Sequence, residues 1–319
     1  MSTPSPGPSS GPPPTIASVS LARPLADIAA ALGRSFEEYG FAIVSDHAVP
    51  QALIAGAAEK SRAFFALPED IKRRYLVPGI GGARGYTPFG TERAKGAATR
   101  DLKEFWHIGR DLPAGDPLAR SMQPNVWPEA EVPGFRATLQ ALYAALDAAG
   151  GRVLEAIALH LGLEAEFFAP TVERGNSVMR LLHYPPVGAG EEGAVRAAPH
   201  EDINAITLLL GADEAGLELL GRDGAWHPVA PPPGALVVNI GDMLERLTAG
   251  RLRSTTHRVV NPTGRAAQRS RYSMPFFLHF RPDFVIEPLE ACLAGGLSGE
   301  PPITADAFLL QRLREINLF

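Results

Sequence analysis

The chain of 319 residues carries a single cysteine, Cys292, which excludes an intrachain disulfide framework. A lone thiol suits a reducing compartment, and its expected place is as a small residue of the core. No apolar run approaches the roughly 20 residues that a membrane span requires. Basic residues are in the minority, 30 Lys and Arg against 35 Asp and Glu for a net charge of -5. They form no stripe that could follow a phosphate backbone, so neither membrane nor nucleic acid is an expected partner. Met1 to Pro14 is almost all Ser, Thr, Pro and Gly. It lacks the basic start and apolar core of an export signal and has nothing to bury, so a disordered tail over residues 1–15 and a cytoplasmic location are expected. Nothing points to an obligate interface, and a monomer is compatible with the composition.

What is present is an ordinary globule, 45% hydrophobic and 20% charged, able to bury a large core. Helical spacing over Ala22–Tyr39 places Ile28, Ala29, Leu32 and Phe36 on one side, and Gly40 is placed to end that helix. Phe41–Val44 reads as a buried strand, Gln51–Leu67 and Glu69–Tyr75 as helices, and Asp101–Trp106 as the start of a strand. Between them runs a long Gly-rich loop over residues 77–96, a length that is usually functional or mobile. The spacing over Pro133–Phe168 predicts a supporting helix that Gly150-Gly151 kinks or splits. From Asn176 the period changes to two. Strand-like runs with Gly and Pro turns follow at residues 178–184, 205–210, 217–220, 225–229, 235–240, 253–260 and 272–280, a pattern that suggests a sandwich or barrel. Asp242 and Glu245 read as the capping pair of a short helix, and Thr304–Ile316 as a closing one. The division expected is a helical region over residues 16–170 packing on a β domain over residues 171–319.

Chemistry concentrates between Pro199 and Phe277. His200 and Asp202 are two apart, so on an extended segment both face one side, and His257 sits on a later strand. Two imidazoles and one carboxylate suit Fe(II) with open positions for substrate and O2, although Zn(II) in a hydrolase accepts the same donors. Arg271 and Ser273 share a strand face, where a guanidinium aimed into an apolar barrel can grip a carboxylate through two charge-assisted hydrogen bonds. The phenol of Tyr184, at the end of its own strand, is placed to join them. Arg84, Tyr86, Phe89, Arg180, Phe277 and His279 are candidates for a mixed polar and aromatic substrate wall. His107 reads as structural.

Several segments together resemble one family. They are Phe41-Ala42-Ile43-Val44-Ser45-Asp46-His47-Ala48-Val49-Pro50, Met179-Arg180-Leu181-Leu182-His183-Tyr184-Pro185-Pro186, His200-x-Asp202 with Thr207-Leu208-Leu209, Asn239-Ile240-Gly241-Asp242, Ser254-Thr255-Thr256-His257-Arg258-Val259 and Arg271-Tyr272-Ser273. The chain is similar to the isopenicillin N synthase-like branch of the 2-oxoglutarate/iron(II)-dependent oxygenases over nearly its whole length after the tail. The resemblance implies an α+β protein, mainly β with helices. Its core would be a double-stranded β-helix (jelly roll), with a helical N-terminal region and a C-terminal helix. It also implies Fe(II) on His200, Asp202 and His257, with 2-oxoglutarate as cosubstrate held through its distal carboxylate by Arg271, Ser273 and Tyr184. The chain departs from plant members at Leu182, where they usually carry Asn on the cosubstrate side. The expected activity is oxidation of a C–H bond of a small molecule with O2, releasing succinate and CO2. The alternatives are an iron/O2 oxidase of the same fold that keeps Arg-x-Ser for a substrate carboxylate, and a non-catalytic ligand-binding protein.

Overall fold

The first described elements follow the apolar spacing closely. A computed structural model describes residues 16–91, 101–186, 195–210, 216–261, 264–293 and 299–315. The expected tail and residues 92–96 of the Gly-rich loop lie outside the described residues. Strand β1 (Ser18–Ser20) leads into helix α1 (Leu25–Tyr39), which buries Ile28, Ala29, Leu32 and Phe36. Gly40 ends the helix at φ 67°, donating its N–H to Phe36 O, and β2 (Phe41–Ser45) starts at the next residue. A Cβ at Gly40 would lie 2.3 Å from Arg253 O and 2.4 Å from Thr255 Oγ1. Glycine is therefore needed here both for the left-handed backbone and for the close approach of the segment that leads to His257. Gly40→Ala is expected to cost about 1–2 kcal/mol from the backbone alone, plus the steric conflict. The unfolding midpoint of the metal-free protein should fall by several degrees, on the scale of about 2–4 °C per kcal/mol for large domains.

Helix α2 (Gln51–Phe65) and the short α3 (Glu69–Lys72), extended by a 3-10 turn to Tyr75, match the predicted helices. The Gly-rich stretch contains a short strand, β3 (Gly85–Thr87), paired with β4 (Glu104–Gly109). Helix α4 (Phe135–His160) runs unbroken through Gly150-Gly151, so the glycines do not split it. A Cβ on Gly150 would lie 2.5 Å from Leu278 Cδ1, so the glycine is where the helix presses against the sheet. Helix α5 (Ala169–Val172) precedes β5 (Val178–Tyr184). Then come β6 (Ala197–His200), β7 (Ile206–Leu210), β8 (Leu217–Leu220), β9 (Trp226–Pro228) and β10 (Leu236–Ile240). Helix α6 (Asp242–Leu247), β11 (His257–Val259) and β12 (Arg271–Leu278) complete the barrel. The chain closes with β13 (Val285–Ile286), α7 (Glu290–Leu293), β14 (Ile303–Thr304) and α8 (Ala305–Glu315).

Two sheets face each other. The larger has the order β1-β2-β10-β7-β12-β5-β4-β3 and the smaller β6-β11-β8-β9. All their pairings are antiparallel except β1 with β2. Between them Phe41 and Val237 of the larger sheet meet Ala197, Leu217, Leu219 and Val259 of the smaller in one buried cluster. The other side of the larger sheet is covered by helices, with Tyr143 of α4 edge-on to Phe276 at 4.9 Å. This is the expected jelly roll with helices. Strands β1 to β4 all precede residue 171, so the expected boundary at 170/171 runs through a single hydrogen-bonded sheet. No helix among the described residues is long and apolar enough to cross a membrane.

The predicted capping pair of α6 is not formed. Gly241 occupies the cap position with no side-chain cap bond, and the Asp242 and Glu245 carboxylates turn instead to Ser254, which donates its hydroxyl to Asp242 Oδ1 and its N–H to Glu245 Oε1.

Candidate metal centre

His200 is the last residue of β6, and it pairs in register with His257, the first residue of β11. That places the two rings 4.4 Å apart. Asp202 follows two residues after His200, and His200, Asp202 and His257 each bring a donor atom within 4.8 Å of the others. Both histidine Nε2 atoms stand 3.9 Å from an Asp202 oxygen.

The hydrogen bonds around the cluster select which atoms are left for an ion. His200 Nδ1 contacts Ala198 O at 2.8 Å and His257 Nδ1 contacts Thr255 O at 3.0 Å. A carbonyl only accepts, so each Nδ1 carries a proton, and in the neutral ring it is Nε2 that offers a lone pair to the shared space. Asp202 Oδ2 accepts from Thr207 Oγ1 at 2.6 Å and Asn239 Nδ2 at 2.8 Å, which leaves Oδ1 as the donor. Burial, reinforced by the neighbouring His257, pulls His200 down to about 4, so its ring is neutral at neutral pH. Burial pushes the Asp202 carboxyl up, but the two imidazoles and the Asn239 and Thr207 bonds outweigh it and hold the group below its usual range. Two imidazoles and one oriented carboxylate oxygen form a donor set that fits Fe(II), with Phe41 edge-on to His257 at 5.5 Å forming an apolar flank.

Thr207 and Asn239 had been read only as parts of motifs. The signal for a role is a single polar residue inside an otherwise apolar, largely buried strand. Their registered pairing across β7 and β10 brings both to the same carboxylate. Asn239→Ala is expected to weaken metal binding about 10-fold or more, the scale seen when a partner of a ligating carboxylate is lost. A metal titration that matches the unsubstituted protein would contradict this.

Further along the interior, register and pleat put Phe105 and His107 of β4, Arg180, Leu182 and Tyr184 of β5, and Arg271, Ser273 and Phe277 of β12 on one face. Arg271 pairs with Tyr184, and its guanidinium lies 5.1 Å from the centre of that ring. Arg271, Ser273 and Tyr184 are each at most 4% exposed. Arg180 lies 4.3 Å from the Phe105 ring centre and 5.4 Å from that of Phe277, and its Nε donates to His107 Nε2. His107 in turn meets Gly82 O at 2.7 Å. The residue read as structural thus holds a candidate wall arginine in place.

His279 lies just past the end of β12, where Ala205 N–H donates to Leu278 O three residues after Asp202. Burial, with Arg84 adding to it, pulls this imidazole down to about 4, and its Nδ1 is buried without a partner among the described residues. Arg84 reaches the same end of the barrel. Its guanidinium occupies the space beside Gly109, where a Cβ would lie 1.9 Å from Nη2, and Nη2 donates to Asn176 Oδ1 at 3.5 Å.

Two candidates are not brought to the wall. Tyr86 is registered opposite Trp106, on the face turned to the helices, and its hydroxyl donates to Glu104 Oε2 at 2.5 Å. That carboxylate, 3% exposed, is also bound by Lys72 Nζ at 2.6 Å and His183 Nδ1 at 2.7 Å. Tyr86 therefore belongs to a buried ionic cluster behind the sheet. Phe89 is 43% exposed on the loop that follows β3.

Comparison with known proteins agrees with this geometry. Residues 14–130 match the family pattern described as non-haem dioxygenase in morphine synthesis N-terminal, and residues 175–280 that of the 2OG-Fe(II) oxygenase superfamily. A 2-oxoglutarate-Fe(II) type oxidoreductase, hxnY of Emericella nidulans, is 35% identical over 283 residues, covering 85% of this chain and 80% of that protein. A crystal structure of a 2OG-Fe(II) oxygenase family protein from Caulobacter crescentus is 55% identical with a TM-score of 0.88, covering 95% of this chain and 99% of the other. A full-length Neurospora crassa protein crystallised with alpha-KG and thymine is 28% identical with a TM-score of 0.83, covering 94% of this chain and 96% of that one.

Proposed function

The chain belongs to the isopenicillin N synthase-like family of 2-oxoglutarate/iron(II)-dependent dioxygenases, and from that premise we propose that it oxidises an unactivated C–H bond of a small-molecule substrate, releasing succinate and CO2, with His200, Asp202 and His257 holding the iron. The observation that carries the assignment is the convergence of two Nε2 lone pairs and Asp202 Oδ1 on one space, each fixed by a hydrogen bond on its far side. When bound, the iron supplies the redox chemistry by which O2 and 2-oxoglutarate are consumed; the protein contributes orientation and exclusion of water.

Thr207 and Asn239 fix the plane of the Asp202 carboxylate, and the backbone carbonyls of Ala198 and Thr255 fix the two imidazole tautomers. Arg271 is the charged anchor for the distal carboxylate of 2-oxoglutarate, with Ser273 and Tyr184 on the same face. Phe105, Leu182 and Tyr184 form an apolar patch beside that anchor, which raises the strength of the charge pair. Arg84, Arg180, Phe277 and His279 are assigned to the substrate wall, a mixed polar and aromatic surface suited to a substrate with both characters.

The test is to incubate the iron-loaded protein with 2-oxoglutarate and a panel of small molecules, and to measure succinate together with product mass. Substrate-dependent succinate release with gain of one oxygen atom identifies hydroxylation. Loss of two hydrogens identifies desaturation or ring closure. Substrate oxidation without succinate would contradict the proposal.

A further inference from the structure

We propose that Arg312, on the C-terminal helix α8, is a positioning residue that braces the two chain segments carrying the metal ligands. The inference rests on the reading of His200, Asp202 and His257 as those ligands.

Strands β6 and β11 pair at His200 and His257, but the register between them shifts before Val259, so the ladder is irregular where the ligands sit. Side chains take over the bracing. Glu201, between two of the ligands, accepts from the hydroxyl of Thr256, the neighbour of the third, at 2.8 Å. The second oxygen of Glu201 lies 3.9 Å from Arg312 Nη2. The same Nη2 donates to Asp242 Oδ2 at 2.6 Å, while Asp242 Oδ1 accepts from Ser254 Oγ at 2.7 Å. The Asp242 N–H donates to Asp202 O at 2.8 Å. Besides Glu315 of its own helix, at 3.0 Å from Nη1, the guanidinium therefore meets Asp242 and Glu201, each also tied to the segment over residues 254–257, and both tied to the segment over residues 200–202. Asp242 is 7% exposed and Arg312 31%, so the pair is neither a free surface contact nor fully desolvated.

The geometry explains why the Asp242 carboxylate leaves its helix cap. It is spent on Ser254 and Arg312. Without Arg312, Glu201 and Asp242 lose their shared cation, and the two ligand segments are left to the irregular ladder, the Ser254 and Thr256 bonds and the backbone bond from Asp242 to Asp202.

The test is anaerobic titration of the full-length protein with Mn(II) and with Co(II), whose visible spectrum also reports ligand geometry. Arg312→Ala is expected to weaken metal binding about 10-fold, at the low end for partners of ligating residues, and to alter the Co(II) spectrum. At saturating metal, 2-oxoglutarate affinity should stay within about twofold, because the brace does not touch the cosubstrate anchor. Glu201→Gln should act in the same direction, Arg312→Lys should recover part of the loss, and Gln311→Ala, on the same helix, should bind metal as the unsubstituted protein does. Unchanged metal affinity in Arg312→Ala, or an equal loss in Gln311→Ala, overturns the proposal. Should Arg312→Ala not fold, Glu201→Gln decides alone, and unchanged affinity there overturns it. Failure of the ligand reading itself is distinguishable, since His257→Ala would then bind metal normally.

Discussion

Replacing His257 by alanine is expected to abolish iron binding and, with it, turnover. The remaining pair, His200 and Asp202, would offer two donors from one short chain segment, with nothing from the facing strand to close the site. Loss of a partner that merely orients a ligand costs about 10–100-fold in affinity, so loss of the ligand itself should exceed the upper end of that range. His257 is 7% exposed and packs on Phe41, so some stability is lost as well. The decisive reading is therefore the metal titration of protein that still melts cooperatively. Iron-dependent activity surviving in His257→Ala would refute the assignment.

The second large effect is expected at Arg271. Arg271→Ala should raise the 2-oxoglutarate concentration needed for half-saturation by about 100-fold. Removing one member of a buried, hydrogen-bonded charge pair costs about 2–5 kcal/mol, and each 1.4 kcal/mol is about tenfold. Metal affinity measured without 2-oxoglutarate should be nearly unchanged, because Arg271 faces Tyr184 and Ser273 lies across from Leu182, apart from the triad. Lysine should restore only part of the loss, since an ammonium cannot reproduce the two-pronged grip of a guanidinium. An unchanged half-saturation would remove Arg271 from the cosubstrate site.

Much of this arrangement was legible in the sequence because it depends on local periods. The alternation over residues 178–184 and from Arg271 onward put Tyr184, Arg271, Ser273 and Phe277 on predictable faces, and two-residue spacing made His200 and Asp202 candidates together. Where the period breaks, the reading fails. Gly85 takes φ 71°, and after it Tyr86 falls on the helix side of the sheet, out of the wall it was expected to line. The capping pattern of Asp242 and Glu245 was present but lost to partners 9 to 70 residues away, Ser254 and Arg312. Long-range polar pairing of this kind leaves no periodic trace. The same holds for Glu104, whose Lys72 and His183 partners lie 32 and 79 residues distant. Strands of two residues, such as β13 and β14, are too short to carry a pattern.

The most direct measurement is an anaerobic titration of Fe(II)-loaded protein with 2-oxoglutarate, followed by visible absorption. A metal-to-cosubstrate charge-transfer band should appear and saturate in the unsubstituted protein, be absent in His257→Ala, and require about 100-fold more 2-oxoglutarate in Arg271→Ala. No band in the unsubstituted protein, or the same band in His257→Ala, would contradict the account.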